Sequence, residues 1–229
     1  MENGDVGVLD DPVGESLRGP HAHLARRVGG AVTYLADVAT FSAVPLAPDA
    51  SDWADLAELL GPDGFADLFS SPAVPPSGWA PVFVLEGRQL VWAGERRPEQ
   101  AAGIVELGAD DVPEMLDLVE RTRPGPFWKR TVELGTYLGV RADGRLIAMA
   151  GERLRPPGWT EISAVCTDPG SRGQGHAARL VDALSARILA RGELPFLHVA
   201  ETNTAARALY ERLGFVTRKQ VTFQGFRTP

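Results

Sequence analysis

The sequence predicts an α/β protein, and three observations carry that prediction. Residues 175–191 place Ala177, Leu180, Val181, Leu184, Ile188 and Leu189 at helical spacing on one face. Short apolar runs such as Tyr137-Leu138-Gly139-Val140, Leu146-Ile147-Ala148-Met149 and Phe196-Leu197-His198-Val199 alternate with helical stretches. Asp143-Gly144 separates two of these runs, a strong signal for a tight hairpin.

Residues 1–25 are rich in Gly and Asp without periodicity and read as a flexible leader. Residues 26–98 read as an α/β region without a chemical motif. Strand-like stretches fill 31–46, and Pro45 and Pro48 end them. A short helix over 51–60 takes its cap from Asp49 or Ser51 and stops at Gly61-Pro62. Apolar runs 82–85 and 89–92 flank Glu86-Gly87-Arg88, which predicts a tight hairpin.

The polar stretch 96–100 marks the boundary to a domain over 99–229. A strand over 103–107 leads into a helix with acidic residues in its first turn, favourable for the dipole, and Met115, Leu118 and Val119 as its stripe. A second short helix is expected over 127–134, with Phe127 and Trp128 lining an acceptor pocket. The hairpin of 137–141 and 145–150 follows, then a strand over 161–167, the long helix of 175–191 and a strand over 196–200. A helix over 204–213 stops at Gly214, and a β arm over 215–223 closes the chain.

Composition excludes several classes. The net charge of −7 repels a phosphate polymer, so no nucleic-acid partner is expected. The single cysteine makes no internal disulfide, and no Cys/His cluster has metal-ligand spacing, so no metal is expected. His21 and His23 read as part of a solvated tail. No apolar run reaches membrane-spanning length, and the first twenty residues lack a basic start and an apolar core, which predicts a cytoplasmic protein without a membrane partner.

The chemistry concentrates at Arg172-Gly173-Gln174-Gly175-His176-Ala177, between a strand and the long helix. The first amides of a helix lack internal partners and the dipole there is positive, so a pyrophosphate fits. Gly173 and Gly175 allow close backbone approach, and Arg172 adds a charge-assisted contact. Neither a Walker loop nor a dinucleotide fingerprint matches.

Val165-Cys166-Thr167-Asp168-Pro169, Arg172-x-x-Gly175-x-Ala177 and Asn203-x-x-Ala206-Arg207-x-Leu209-Tyr210-Glu211-x-Leu213-Gly214-Phe215 together resemble the GNAT superfamily of N-acyltransferases over residues 101–229. The strand Pro195-Phe196-Leu197-His198-Val199 resembles the glycine-N-acyltransferase-like branch. The resemblance implies a mixed, mostly antiparallel twisted sheet flanked by helices on both faces, with an N-terminal half shaped like a degenerate second copy. It implies acetyl-CoA or another acyl-CoA as co-substrate. Val165, Cys166 and Thr167 would pair with its pantetheine arm, and the amides of Gln174, Gly175, His176, Ala177 and Ala178 would hold its pyrophosphate with Arg172. Asn203, with Ala206 beside it, would bond the cofactor arm, and Tyr210 would protonate the departing thiolate.

Transfer to an amine needs the neutral amine, hence a base. Glu161 is the first candidate, eleven positions before Arg172, and Glu152 the second. A regular strand would place Glu161, Ser163 and Val165 on one face. The side chain of His176 reads as a bystander, His198 as a hydrogen-bonded structural histidine and Cys166 as an inert core thiol. The resulting expectation is acyl transfer to a small amine, an amino acid or a peptide, by a monomer or homodimer. Two alternatives stand beside it, a non-catalytic acyl-CoA-binding or sensing module and a protein-lysine or N-terminal acetyltransferase.

Overall fold

The computed structural model describes residues 5–95 and 102–229, so the boundary expected at 96–100 lies outside it. The first residues described are not a flexible leader. A 3₁₀ turn, Val6–Asp10, leads into α1 (Pro12–Arg18), whose cap Asp11 accepts the Gly14 amide. Leu9, Val13 and Leu17 recur every fourth residue and are buried in the core, a stripe too short to stand out from its polar surroundings. His21 is buried as well, with Nδ1 2.9 Å from the Tyr34 hydroxyl. Burial depresses its pKa to about 4 and keeps the ring neutral.

The strands β1 (Ala25–Val28), β2 (Ala31–Tyr34) and β3 (Ser42–Ala43) form a small antiparallel sheet. The helix α2 (Ala50–Leu60) begins in a capping box made by Asp49 and Asp52. Next come β4 (Phe65–Phe69) and β5 (Ala80–Trp92). The hairpin expected at 86–88 does not form, because Gly87 lies inside one continuous strand. Its glycine serves close packing instead: a Cβ there would fall 2.3 Å from the Phe223 ring.

The remaining elements are β6 (Ile104–Leu107), α3 (Val112–Thr122), β7 (Tyr137–Ala142), β8 (Arg145–Glu152), β9 (Trp159–Thr167), α4 (His176–Ala190), β10 (Leu194–Ala200), α5 (Thr204–Arg212) and β11 (Phe215–Arg227). The helix expected over 127–134 shrinks to a 3₁₀ turn, Thr131–Leu134, because the Thr131 hydroxyl accepts the Trp128 amide and closes the turn early.

Eight strands form the main sheet in the order β4-β11-β5-β10-β9-β8-β7-β6. Every neighbouring pair is antiparallel except β9 and β10. The apolar stripes of α4 and α5 cover one face, and α1 and α3 cover the other. No helix among the described residues is long and apolar enough to cross a membrane.

The division into 26–98 and 99–229 does not describe this sheet. Strand β5, from the N-terminal half, fills the slot between β10 and β11, and β4 pairs outside β11. A fragment of residues 102–229 therefore leaves both β10 and β11 with open edges and removes Leu90 from the core between them. It is expected to show no cooperative thermal transition by circular dichroism. A sharp transition near that of the full chain would contradict the interlocked fold.

Candidate active site

The site begins where β9 and β10 separate. Their parallel pairing covers only Trp159, Thr160 and Glu161 against Leu194, Pro195 and Phe196. On its other edge β9 carries one extra residue between Ser163 and Cys166, opposite Met149 to Gly151, and Ala164 takes a φ of 52°. This is a bulge, which bends the strand away from its neighbour. The gap widens into a cleft of about 910 Å³, walled by 162–167 on one side and His198, Val199 and Ala200 on the other.

The bulge also corrects the expected alternation. Val165 packs among the residues under α4, whereas Ala164 and Cys166 pack with α3, so Val165 does not share the face of Glu161. Cys166 is buried, and burial pushes its thiol pKa up, consistent with an inert sulfur.

The helix α4 meets the cleft with its N-terminus. Gly173 and Gly175 have φ of 78° and 81°, the left-handed region that favours glycine, and nothing fills the space where their Cβ atoms would lie. Gly175 caps the helix without a side-chain acceptor, so the amides of His176, Ala177 and Ala178 are free to bind an anion. Arg172 flanks them in the cleft wall, and Gln174 is exposed within the loop. Both ring nitrogens of His176 are buried in the wall without a hydrogen-bond partner. An uncapped helix start, an orphaned donor and two parted strands fit a pyrophosphate joined to an extended amide-bearing arm.

Helix α5 supplies the opposite wall. Asn203 caps it through Oδ1, which accepts the Ala206 amide at 3.2 Å, and both line the cleft with Tyr210. The Tyr210 ring packs edge-on against Phe215, and burial pushes its pKa up to about 12, so the phenol stays protonated.

The acids lie elsewhere than expected. Glu152 faces a separate, smaller hollow, where it binds Arg191 Nη2 at 2.8 Å and accepts the Thr136 amide at 3.2 Å. It lines that hollow and not the cleft. Glu161 is 0% exposed and sits behind the wall. Arg153 grips it with two bonds of 2.8 and 2.6 Å, and its Oε1 lies 2.6 Å from His198 Nδ1. Burial would raise its pKa, but the charge and hydrogen bonds of Arg153 outweigh that and hold it at about 2. The Arg153 guanidinium also stacks over Phe69, 4.4 Å from the ring centre, and lines the cleft.

His198 is more than a packed ring. Gln89 settles its tautomer: Arg218 donates to Gln89 Oε1 at 3.0 Å, so Gln89 Nε2 donates to the Leu9 carbonyl and to His198 Nε2 at 3.2 Å. Nε2 is therefore the acceptor, and Nδ1–H points at Glu161. Ser70 Oγ lies 3.1 Å from the same Nε2. Burial lowers the His198 pKa against the opposing pull of Glu161, so the ring is neutral at pH 7.

Three cleft-side groups escaped the sequence. Arg153 and Phe69 line the wall, and Ser70 stands behind it; none carries a local motif, and only the strand register brings them to Glu161 and His198. Pro124, Gly125 and Pro126 line the cleft, but Phe127 packs on Tyr137 and Trp128 on the core under α1, so neither forms an acceptor pocket. Among the described residues no group of three or more His, Cys, Asp or Glu could hold a metal ion.

The FR47-like protein family model matches residues 137–223. N-alpha-acetyltransferase RimI of Mycobacterium tuberculosis is 39% identical over 82 residues, and the match spans 51% of that relative. A crystal structure from Novosphingobium aromaticivorans, assigned as an acetyltransferase of the GNAT family, is 40% identical with a TM-score of 0.88, over 96% of this chain and 98% of that one. A GCN5-related N-acetyltransferase from Kribbella flavida shares the fold, at 18% identity, a TM-score of 0.66 and 96% of each chain.

The Glu161–Arg153 pair yields a stability test. Glu161→Gln leaves a buried guanidinium without its charge partner and is expected to cost about 3–5 kcal/mol in urea unfolding at pH 7. The folded pKa of about 2 lies below the ordinary 4.5, so this contribution is present above 4.5 and lost as pH falls toward 2. The variant should lose less stability than the parent over that window. Equal acid sensitivity would show that the pair contributes little.

Proposed function

The chain belongs to the GNAT family of acetyltransferases, and on that premise we propose that it transfers an acetyl or other short acyl group from acyl-CoA to a primary amine. The observation that carries this is the parting of β9 and β10 onto the uncapped start of α4. The open edge of β9 at Val165, Cys166 and Thr167 pairs with the pantetheine arm as with an added strand. Gly173 to Ala178, with Arg172, hold the pyrophosphate, and Asn203 reaches the arm with its remaining amide N–H. Acyl-CoA supplies the acyl group as a thioester, a form open to attack by an amine.

The base assigned to Glu161 is better placed on the pair it forms with His198. A carboxylate held near 2 and locked by Arg153 is too weak to take a proton from an ammonium. His198 is neutral, lines the cleft and is held in one tautomer by Glu161. His198 takes the proton at Nε2, which in doing so gives up the hydrogen bond it accepts from Gln89, with Ser70 Oγ adjoining it. The amine nitrogen bonds to the acyl carbon as the carbon–sulfur bond breaks. Tyr210 then gives its proton to the thiolate. The nitrogen sheds its second proton as the amide forms and this restores Tyr210, the free thiol and the amide leave, and His198 releases its proton to solvent.

One observation favours a second reading. Neither Glu152 nor Glu161 lines the cleft, as a module that binds acyl-CoA without turning it over would have it. Thiol release separates the two. The full chain with acetyl-CoA and a panel of primary amines, amino-acid amides and short peptides should release free thiol only when an acceptor is present. Binding of CoA with no release for any acceptor identifies the module.

Two variants assign the roles. Tyr210→Phe should lower kcat about 10²-fold while CoA affinity stays within twofold. In the parent, activity should be present above the depressed pKa of His198 and lost as pH falls through it, below 6.5. His198→Asn should slow turnover and abolish that acid limb. A limb that survives in the variant removes His198 as the proton acceptor.

A further inference from the structure

Strand β5 has a partner along its whole length on one side only. There β11 pairs with it from Ala80 to Trp92. On the other side β10 reaches only from Val91 to Gly87, and the Glu201 amide bonds the Glu86 carbonyl. Among the described residues no strand pairs with that side from Ala80 to Leu85, which leaves an open sheet edge. Its side chains are apolar and exposed: Val82 50%, Phe83 39%, Val84 61% and Leu85 41%. Proteins usually guard such an edge with a charge, a proline or a bulge. Pro81 and a bulge at Val82 guard the far end, and nothing of the kind interrupts Phe83 to Leu85.

Register ties this edge to the reaction. Gln89 lies opposite His198, so Gln89, Gly87, Leu85 and Phe83 fall on the sheet face that carries His198. Leu85 itself lines the cleft beside Ala200 and Phe223. Strand polarity then selects the occupant. Strand β10 runs antiparallel to β5 and ends at Ala200, opposite Gly87. An antiparallel strand that continues its line along the free edge begins at Leu85 and runs away toward Ala80. Its N-terminus therefore lies at the cleft. A parallel strand would bring a carboxylate there instead.

We propose that the edge from Phe83 to Leu85 binds an extended polypeptide by antiparallel strand addition and delivers its N-terminal amine to the cleft. The acceptor is then a peptide N-terminus followed by apolar residues, rather than a free small amine. Main-chain hydrogen bonds to the edge supply affinity, and alternate side chains of the peptide lie along Phe83 and Leu85. This rests on the acyltransferase reading above and adds the class of acceptor.

The experiment uses the full chain with acetyl-CoA and three acceptors: alanine amide, a six-residue peptide that begins with alanine and alternates valine with serine, and the same peptide N-methylated at alternate backbone amides. The kcat/KM for the plain peptide should exceed that for alanine amide at least tenfold, and N-methylation of the edge-facing amides should remove the gain. Val84→Asp should lower the ratio of peptide to alanine-amide rates at least tenfold. Equal rates for alanine amide and the peptide overturn the docking edge while leaving the acyltransferase reading intact. No acylation of any acceptor overturns the acyltransferase reading and this inference with it. A dimer that Val84→Asp splits into monomers in sedimentation, with peptide preference unchanged, assigns the edge to contact between copies and also overturns it.

Discussion

The parting of β9 from β10 is the constraint on which the rest of the molecule depends. The two strands are held together over three residue pairs and no further. At the last of these pairs, Glu161 is gripped by Arg153 and His198 in the core. Beyond it, the bulge at Ala164 turns β9 away, and the space so made is closed by α4 and α5 rather than by a strand. A hydrogen-bonding edge, an uncapped helix start and the Tyr210 phenol thus face one cavity. Closing the strands would remove all three at once.

The ion cluster at the point of parting is costly to bury, and several elements compensate it. Arg153 follows the end of β8, while Glu161 lies on β9 and His198 on β10, so the cluster ties together three neighbouring strands. Gln89 on β5 and Ser70 after β4 contact Nε2 of the histidine. Gln89 in turn is fixed by the Leu9 carbonyl and Arg218. The N-terminal half is for this reason part of the site. It supplies the strand beside β10, the partners of His198 and the Phe69 ring beneath Arg153.

Much of the C-terminal half was legible because its signals are local. The stripe on α4, the hairpin at Asp143-Gly144 and the glycines before His176 each depend on residues close in sequence. The left-handed glycines and the uncapped helix start at the expected phosphate loop were legible for the same reason. The parts missed depend on register or on distant packing. Nothing in Ser163-Ala164-Val165 announces a bulge, since a residue with positive φ is most often glycine and here it is alanine. Gly87 was read as a turn residue although it allows close packing against Phe223. Glu161 was identified as important from its spacing to Arg172, but its locked state follows from Arg153 across the strand turn. Leu9, Val13 and Leu17 carried a helical period over too few residues to outweigh the glycines and acids around them.

Amide hydrogen exchange with and without CoA tests the central claim most directly. If the arm pairs with β9 and the pyrophosphate sits on α4, CoA should protect the amides on the open edge of β9 between Ser163 and Thr167. It should also protect those of His176, Ala177 and Ala178, with little change in β6 or α2. Saturable binding of CoA that leaves the β9 edge and the α4 start exchanging as before would contradict it.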